Sequence, residues 1–157
     1  MAANDGVLFS SLIGAIAKDI GIPEAAASPD GIFRLEVEGT PLSIMQRGES
    51  ILLYTSLGSL PTDEVSANAI RNVLLGANVL FQETRGATFG IVPEDGAIVL
   101  CWQTPMQGLG DADFIKMTEA FFILVEDWMK RLDEVISQPE QMKTAVATMT
   151  NPSWTSV

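Results

Sequence analysis

Few residues of this 157-residue chain have the types and spacing that enzyme chemistry requires. The sequence contains no histidine, which removes Ser-His-Asp and Cys-His catalysis and every metal site that uses histidine. Glu36 and Glu38 lie two positions apart in an alternating segment, so their carboxylates would share one face of a strand and could act as an acid–base pair. The same spacing is typical of a solvated strand face, and no third polar group can be assigned beside them.

The segment Gly108-Leu109-Gly110 looks like the start of a dinucleotide-binding loop, but no third glycine follows at the required spacing. Asp111 and Asp113 would also place negative charge where a pyrophosphate should lie. These two aspartates lack the glycine and the distal glutamate of a calcium loop. Cys101, the only cysteine, stands in the middle of an apolar strand, as a buried and unreactive thiol does. We therefore expect no catalytic centre, no metal and no cofactor.

The charge balance limits the partners that the chain can bind. Twenty acidic and nine basic residues give a formal net charge of −11, which repels phosphate backbones and anionic membranes. The same charge favours solubility, and it can steer a neutral or basic polypeptide towards the protein. The amino terminus lacks the positive region of a signal peptide, and the longest strongly apolar run, 120–125, is too short to span a bilayer. We expect a soluble, cytoplasmic protein that binds neither nucleic acid nor membranes.

The hydrophobic periodicity predicts an α+β fold with the order α-β-β-β-α-β-β-α. Short links between the strands indicate antiparallel pairing in one twisted sheet of about five strands. We expect one domain over residues 1–136 and a polar tail over residues 137–157. The predicted helices cover 6–20, 61–83 and a segment from 111 onwards, and the predicted strands cover 32–38, 42–46, 51–57, 87–92 and 98–103.

Apolar residues exceed what one sheet face and one helix stripe need. In the third strand, Leu52 and Tyr54 face away from Ile51, Leu53 and Leu57, although antiparallel sheets usually have one polar face. The middle helix has two apolar stripes about 100° apart. One stripe contains Val65, Ala69, Val73, Gly76 and Leu80, and the other contains Ile70, Leu74, Ala77 and Phe81. Two stripes indicate contact with a second subunit, while a helix enclosed within one domain remains the alternative.

Several segments, in the predicted order of elements, resemble the class I type III secretion chaperone family, which includes the Tir and YopE chaperones. The resemblance spans about residues 7–132. The segments that carry it are Leu60-Pro61, Leu74-Leu75-Gly76-Ala77-Asn78, Gly86-Ala87-Thr88-Phe89-Gly90-Ile91, Ile98-Val99-Leu100, and the last helix with Phe121 and Trp128.

The resemblance implies a homodimer built around the middle helix and the strand that follows it. It also implies that the N-terminal segment of a secreted effector binds in extended form to grooves of the first helix and the first three strands, without ATP hydrolysis. The implied dimer residues are Leu74, Asn78, Phe81, Phe89 and Ile91. The nominated partner-binding residues are Leu8, Leu12, Phe33, Leu35, Leu42, Ile44, Leu52 and Tyr54.

Two points stay open at this stage. The apolar faces could instead enclose the pocket of a small-ligand sensory or regulatory domain. The tail, residues 137–157, is longer than the fold needs, and contact with the export machinery is one role for it.

Overall fold

The computed structural model describes residues 2–21 and 28–137 of the chain. It confirms the predicted order of three helices and five strands, with one short 3-10 turn in addition. Of the predicted tail, residues 138–157 lie outside the described residues. The elements are α1 (Ala2–Asp19), β1 (Ile32–Val37), β2 (Thr40–Arg47), β3 (Ser50–Ser59), α2 (Glu64–Ala77), the 3-10 turn η1 (Val79–Phe81), β4 (Thr88–Ile91), β5 (Ala97–Pro105) and α3 (Asp111–Ser137).

The five strands form one antiparallel sheet in the order β1-β2-β3-β5-β4, so β1 and β4 are its two edges. A two-residue turn joins β1 to β2, and its residues Glu38 and Gly39 have positive φ values of 52° and 83°. Two positive φ values are typical of a type I′ turn, which matches the twist of the flanking strands. The prediction that Glu36 and Glu38 share one strand face is wrong, because Glu38 belongs to this turn.

One face of the sheet carries the hydrophobic core, and we call it the covered face. Buried side chains of all three helices pack there against alternate residues of every strand. The largest fully buried side chains include Phe114 and Phe121 of α3 and Leu12 of α1. The strand residues of this core are Phe33, Leu35, Leu42, Ile44, Ile51, Leu53, Phe89, Ile98 and Leu100.

Local interactions set both ends of α2. The Asp63 carboxylate accepts a hydrogen bond from the Ser66 amide at 2.8 Å, so Asp63 is the N-cap. The helix ends at Ala77, several residues before the predicted end at 83. Leu80 and Phe81 have φ values of 56° and 55°, a left-handed conformation that cannot continue an α-helix.

None of the helices in the described part of the chain is both long and apolar enough to cross a membrane.

Candidate functional site

The second face of the sheet is also apolar, and we call it the open face. Leu52 is only 8% exposed, yet it is absent from the core cluster that contains its neighbours Ile51 and Leu53. The large buried side chains of the three helices belong to that cluster, on the other face. The apolar residues of the open face are Ile32, Met45, Leu52, Tyr54, Val99 and Cys101, and all but Leu52 are half-buried.

The register places Tyr54 between Ser43 and Cys101, and Leu52 between Met45 and Gln103. Directly opposed residues of antiparallel strands share a face, so these side chains form two adjoining rows. Burial raises the pKa of the Cys101 thiol. The thiol is therefore protonated at neutral pH and is a poor nucleophile.

The nominated partner-binding residues divide between the two faces. Leu52 and Tyr54 lie on the open face, and Leu8 is a half-buried residue of α1 that packs against the core. The other five lie in the core, with at most 6% of each side chain exposed; they are Leu12, Phe33, Leu35, Leu42 and Ile44. The structure therefore brings these five together on the covered face, away from Leu52 and Tyr54.

The β4 edge of the sheet is partly closed from within the chain. The side chain of Asn78, just after α2, exchanges two hydrogen bonds with the backbone of Phe89. The Phe89 amide donates to Asn78 Oδ1 at 2.8 Å, and Asn78 Nδ2 donates to the Phe89 carbonyl at 3.1 Å. The carboxamide thus satisfies both outward-facing backbone groups of Phe89, as a neighbouring strand would.

The β1 edge is different. The Ile32 carbonyl accepts a hydrogen bond from the Ser28 amide at 2.8 Å, and the Ile32 amide donates to Asp30 Oδ1 at 3.1 Å. Since backbone groups alternate in direction along a strand, those of Arg34 and Glu36 also face outwards. Within residues 2–21 and 28–137, no backbone partner is found for them. As far as the described residues go, the edge is therefore open over Arg34 and Glu36.

A group of exposed apolar side chains lies where α2 runs into η1, and we call it the α2 ridge. Its members and their exposed fractions are Leu75 (65%), Val79 (58%), Leu80 (65%) and Phe81 (51%). Leu80 and Phe81 occupy their left-handed conformation here, which costs about 1 kcal/mol or more per residue for bulky side chains. Apolar residues held exposed at such a cost are typical of an interaction surface.

The implied dimer residues meet this ridge only in part. Phe81 belongs to it, and Ile91 is half-buried on β4. Leu74 and Phe89 are buried in the core, at 2% and 6% exposure, and Asn78 is bonded to Phe89 as described above. Sequence reasoning did not assign Leu75 and Val79 to this surface. Leu75 lies within α2 on the side away from the buried residues Leu74 and Ala77, and Val79 follows the end of the helix.

A cleft of about 320 Å³ lies between the turn that follows η1 and α3. The Arg131 guanidinium lies 4.4 Å from the centre of the Trp128 ring and pairs with Glu83. Arg85 and Asp127, which also line the cleft, form a longer ion pair at 3.7 Å. The lining is Gln82, Glu83, Arg85, Leu124, Asp127, Trp128 and Arg131. Its walls are largely charged rather than apolar.

Solved structures share this fold of one antiparallel sheet with helices on one face. The structure described as the HopA1-SchA chaperone-effector complex matches with a TM-score of 0.61 and 13% identity, covering 82% of this chain and 94% of that one. The ExsC-ExsE complex gives 0.59 and 18%, covering 80% and 90%. The ExoT-SpcS complex from Pseudomonas aeruginosa gives 0.59 and 19%, covering 76% and 96%.

The chain belongs to the Tir chaperone protein (CesT) family, because that family model matches residues 11–129, well over half of its 157 residues. This confirms the resemblance to class I type III secretion chaperones. No curated protein is significantly similar to the chain in sequence. An uncharacterized protein from Methanothermobacter thermautotrophicus shares the fold as well, with a TM-score of 0.56, 13% identity, and coverage of 79% of this chain and 96% of that one.

Proposed function

We propose that the chain is a cytoplasmic bacterial chaperone that binds the N-terminal region of one or more secreted effectors. Binding keeps the effector soluble and competent for export, and it needs no ATP hydrolysis. Family membership supports this function. The observation that carries the binding mode is the open β1 edge, which adjoins an apolar sheet face. An unfolded effector segment presents the complementary features, which are unpaired backbone groups and exposed apolar side chains.

The proposed binding mode is strand addition. The effector backbone pairs with the outward groups of Arg34 and Glu36, and its apolar side chains lie over the open face. Of the nominated partner-binding residues, Leu52 and Tyr54 lie on the open face and are the ones we assign to direct contact, whereas Leu8 of α1 lies on the covered side. The five buried ones hold the strands and α1 in place behind that surface. Because ordering the segment costs entropy, the contact must extend well beyond the edge itself.

We also propose that the chaperone is a homodimer joined through the α2 ridge. The outer side of α2 carries Asn68 and Asn72 together with Arg71, whose guanidinium pairs with Glu64 at 3.0 Å and donates a hydrogen bond to Asn68 Oδ1 at 2.8 Å. A second copy presents the same surface, so a two-fold contact buries both ridges, while Arg71 stays paired with Glu64 of its own copy. Both copies carry a net charge of −11, so the apolar area that the contact buries must offset their repulsion.

The test is co-expression with the secreted proteins of the same genome, followed by affinity capture through the chaperone. We expect at least one effector to form a soluble complex through its N-terminal region. Glu36→Pro removes one outward-facing amide without touching the ladder to β2, and it should abolish capture while the fold persists. The matched variant Glu94→Pro, in the turn before β5, should capture normally. Capture of no effector at all contradicts the proposed function.

The alternative function is a small-ligand sensory domain, and the cleft beside Trp128 and Arg131 is the observation that favours it. Such a domain would be stabilised by its ligand in proportion to saturation. A thermal-shift screen with cellular metabolites, repeated on Arg131→Ala, distinguishes the two functions. A shift in the wild type that the variant loses supports the sensor.

A further inference from the structure

We propose that Glu36 selects effector segments that place a lysine or arginine opposite it on the β1 edge. The inference rests on the proposed strand addition at this edge and adds a rule for which segments are accepted. It concerns one side chain, one position of the added strand and one sign of charge.

The edge fixes the register of an added strand. At its start, the backbone of Ile32 is already bonded to Ser28 and Asp30. At its end, the strand stops at Val37 and the Glu38-Gly39 turn follows. Only Arg34 and Glu36 offer free outward groups within the described residues. An added strand therefore has one main position, in which a definite residue lies opposite Glu36.

The two edge side chains differ in electrical state. The Arg34 guanidinium makes hydrogen bonds of 2.7 and 3.3 Å to the Asp30 carboxylate. The hydrogen bond from Arg34 also holds the pKa of Asp30 below its ordinary value, so the pair is ionised and neutral overall at physiological pH. For Glu36, no ion pair is found among residues 2–21 and 28–137. Its β2 neighbour is Pro41, which offers no charge.

A side chain directly opposite Glu36 on an added strand would have its Cβ about 4.5–5.5 Å away. Lysine or arginine at that position forms a cross-strand ion pair, whereas aspartate or glutamate meets both Glu36 and the field of a protein with a net charge of −11. For an exposed pair, the preference of basic over neutral residues should be about two- to fivefold in affinity. The preference of basic over acidic residues should be larger.

The experiment selects binders from a displayed library of random linear peptides, with the full chain as bait. Wild-type protein should enrich sequences with lysine or arginine at one fixed position. An enriched peptide is then synthesised with lysine, glutamine or glutamate there, and its affinity is measured for wild type, Glu36→Gln and Glu36→Lys. We expect Glu36→Gln to lose the preference for lysine over glutamine, and Glu36→Lys to prefer the glutamate peptide.

The control is Glu94→Lys, which makes the same charge change at an exposed residue in the turn after β4. It should leave the peptide preference of the wild type unaltered. A lysine preference that survives Glu36→Lys overturns the selection rule alone, provided that Glu36→Pro still abolishes peptide binding. Peptide binding that survives Glu36→Pro overturns strand addition at β1 and the rule with it, as does a wild-type selection with no enriched peptide. A wild-type assembly that Glu36→Pro dissociates shows that the edge binds a second copy instead.

Discussion

Leu52 and Leu53 are adjacent in β3, and their side chains are buried on opposite faces of the sheet. Leu53 is fully buried in the core cluster, whereas Leu52 is 8% exposed and lies outside it. Successive residues of a strand alternate between faces, so this pair separates the two tasks of the sheet. One residue holds the helices, and its neighbour contributes to the surface that we assign to the effector.

Alanine at these two positions should therefore have different consequences. Leu53→Ala leaves a cavity in a closed core and should lower the free energy of unfolding by about 2–5 kcal/mol. Leu52→Ala removes apolar contact without creating an enclosed cavity, so we expect a loss of about 1–2 kcal/mol together with weaker effector capture. Urea denaturation and affinity capture measure the two effects. A Leu52→Ala protein that captures effectors as the wild type does would remove Leu52 from the binding surface.

The Asn78 side chain should contribute to stability through both of its bonds to Phe89. Asn78→Ala removes both, and each hydrogen bond contributes about 0.5–1.5 kcal/mol net. Asn78→Asp keeps an acceptor for the Phe89 amide. It replaces the donor to the Phe89 carbonyl with a carboxylate oxygen, which the carbonyl oxygen repels. Equilibrium unfolding in urea should give reduced stability for both variants. Unchanged stability in Asn78→Ala would contradict a structural role for this contact.

Phe81→Asp should convert a dimer into a monomer. The substitution places a charge in the α2 ridge, and aspartate tolerates the left-handed backbone at this position better than phenylalanine does. Light scattering should give about twice the chain mass of 16.9 kDa for the wild type and the chain mass for the variant. Ile123→Asp is the matched control, because Ile123 on α3 is 53% exposed and Phe81 is 51% exposed. A wild-type protein with the mass of one chain contradicts the dimer.

Cys101 provides a chemical probe of the open face. Since burial raises its pKa, folded protein has less thiolate at pH 8 than unfolded protein has, and iodoacetamide should label it more slowly. The folded state gains stability from this shift below the ordinary thiol pKa, and it loses that gain as the pH rises through the raised value.

A bound effector that covers Tyr54 and its neighbour Cys101 should slow labelling further. Mass spectrometry follows the reaction, and Cys101→Ser is the blank because the chain has no other cysteine. Equal labelling with and without effector would place the effector elsewhere.

The sequence predicted the order of elements because each strand is a short alternating or continuously apolar segment and each connection contains glycine or proline. It could not predict which face of the sheet the helices cover. Phe33 and Ile44 have the alternating spacing that residues of a binding face also have. They are core residues because the helices pack on their side of the sheet. Two apolar faces look alike in a linear pattern.

The end of α2 was unpredictable for a related reason. Apolar residues continue at helical spacing past Ala77, and Leu80 and Phe81 favour helices by their intrinsic preference. Their left-handed conformation comes just after Asn78, whose side chain is hydrogen-bonded to Phe89, eleven residues further along the chain. Nothing local in the sequence encodes that contact.

The unlike edges of the sheet also bear on what crowded copies of this protein do to one another. Growth of a filament by edge pairing needs two free strand edges on each molecule, so that each edge pairs with a different neighbouring molecule. Here the carboxamide of Asn78 occupies the middle of β4, a strand of only four residues. A molecule whose β1 edge is paired therefore has no second edge of the same kind for another molecule to pair with. The pairing ends after one step. A protein that binds unfolded polypeptides can thus keep one unpaired strand edge without polymerising through it.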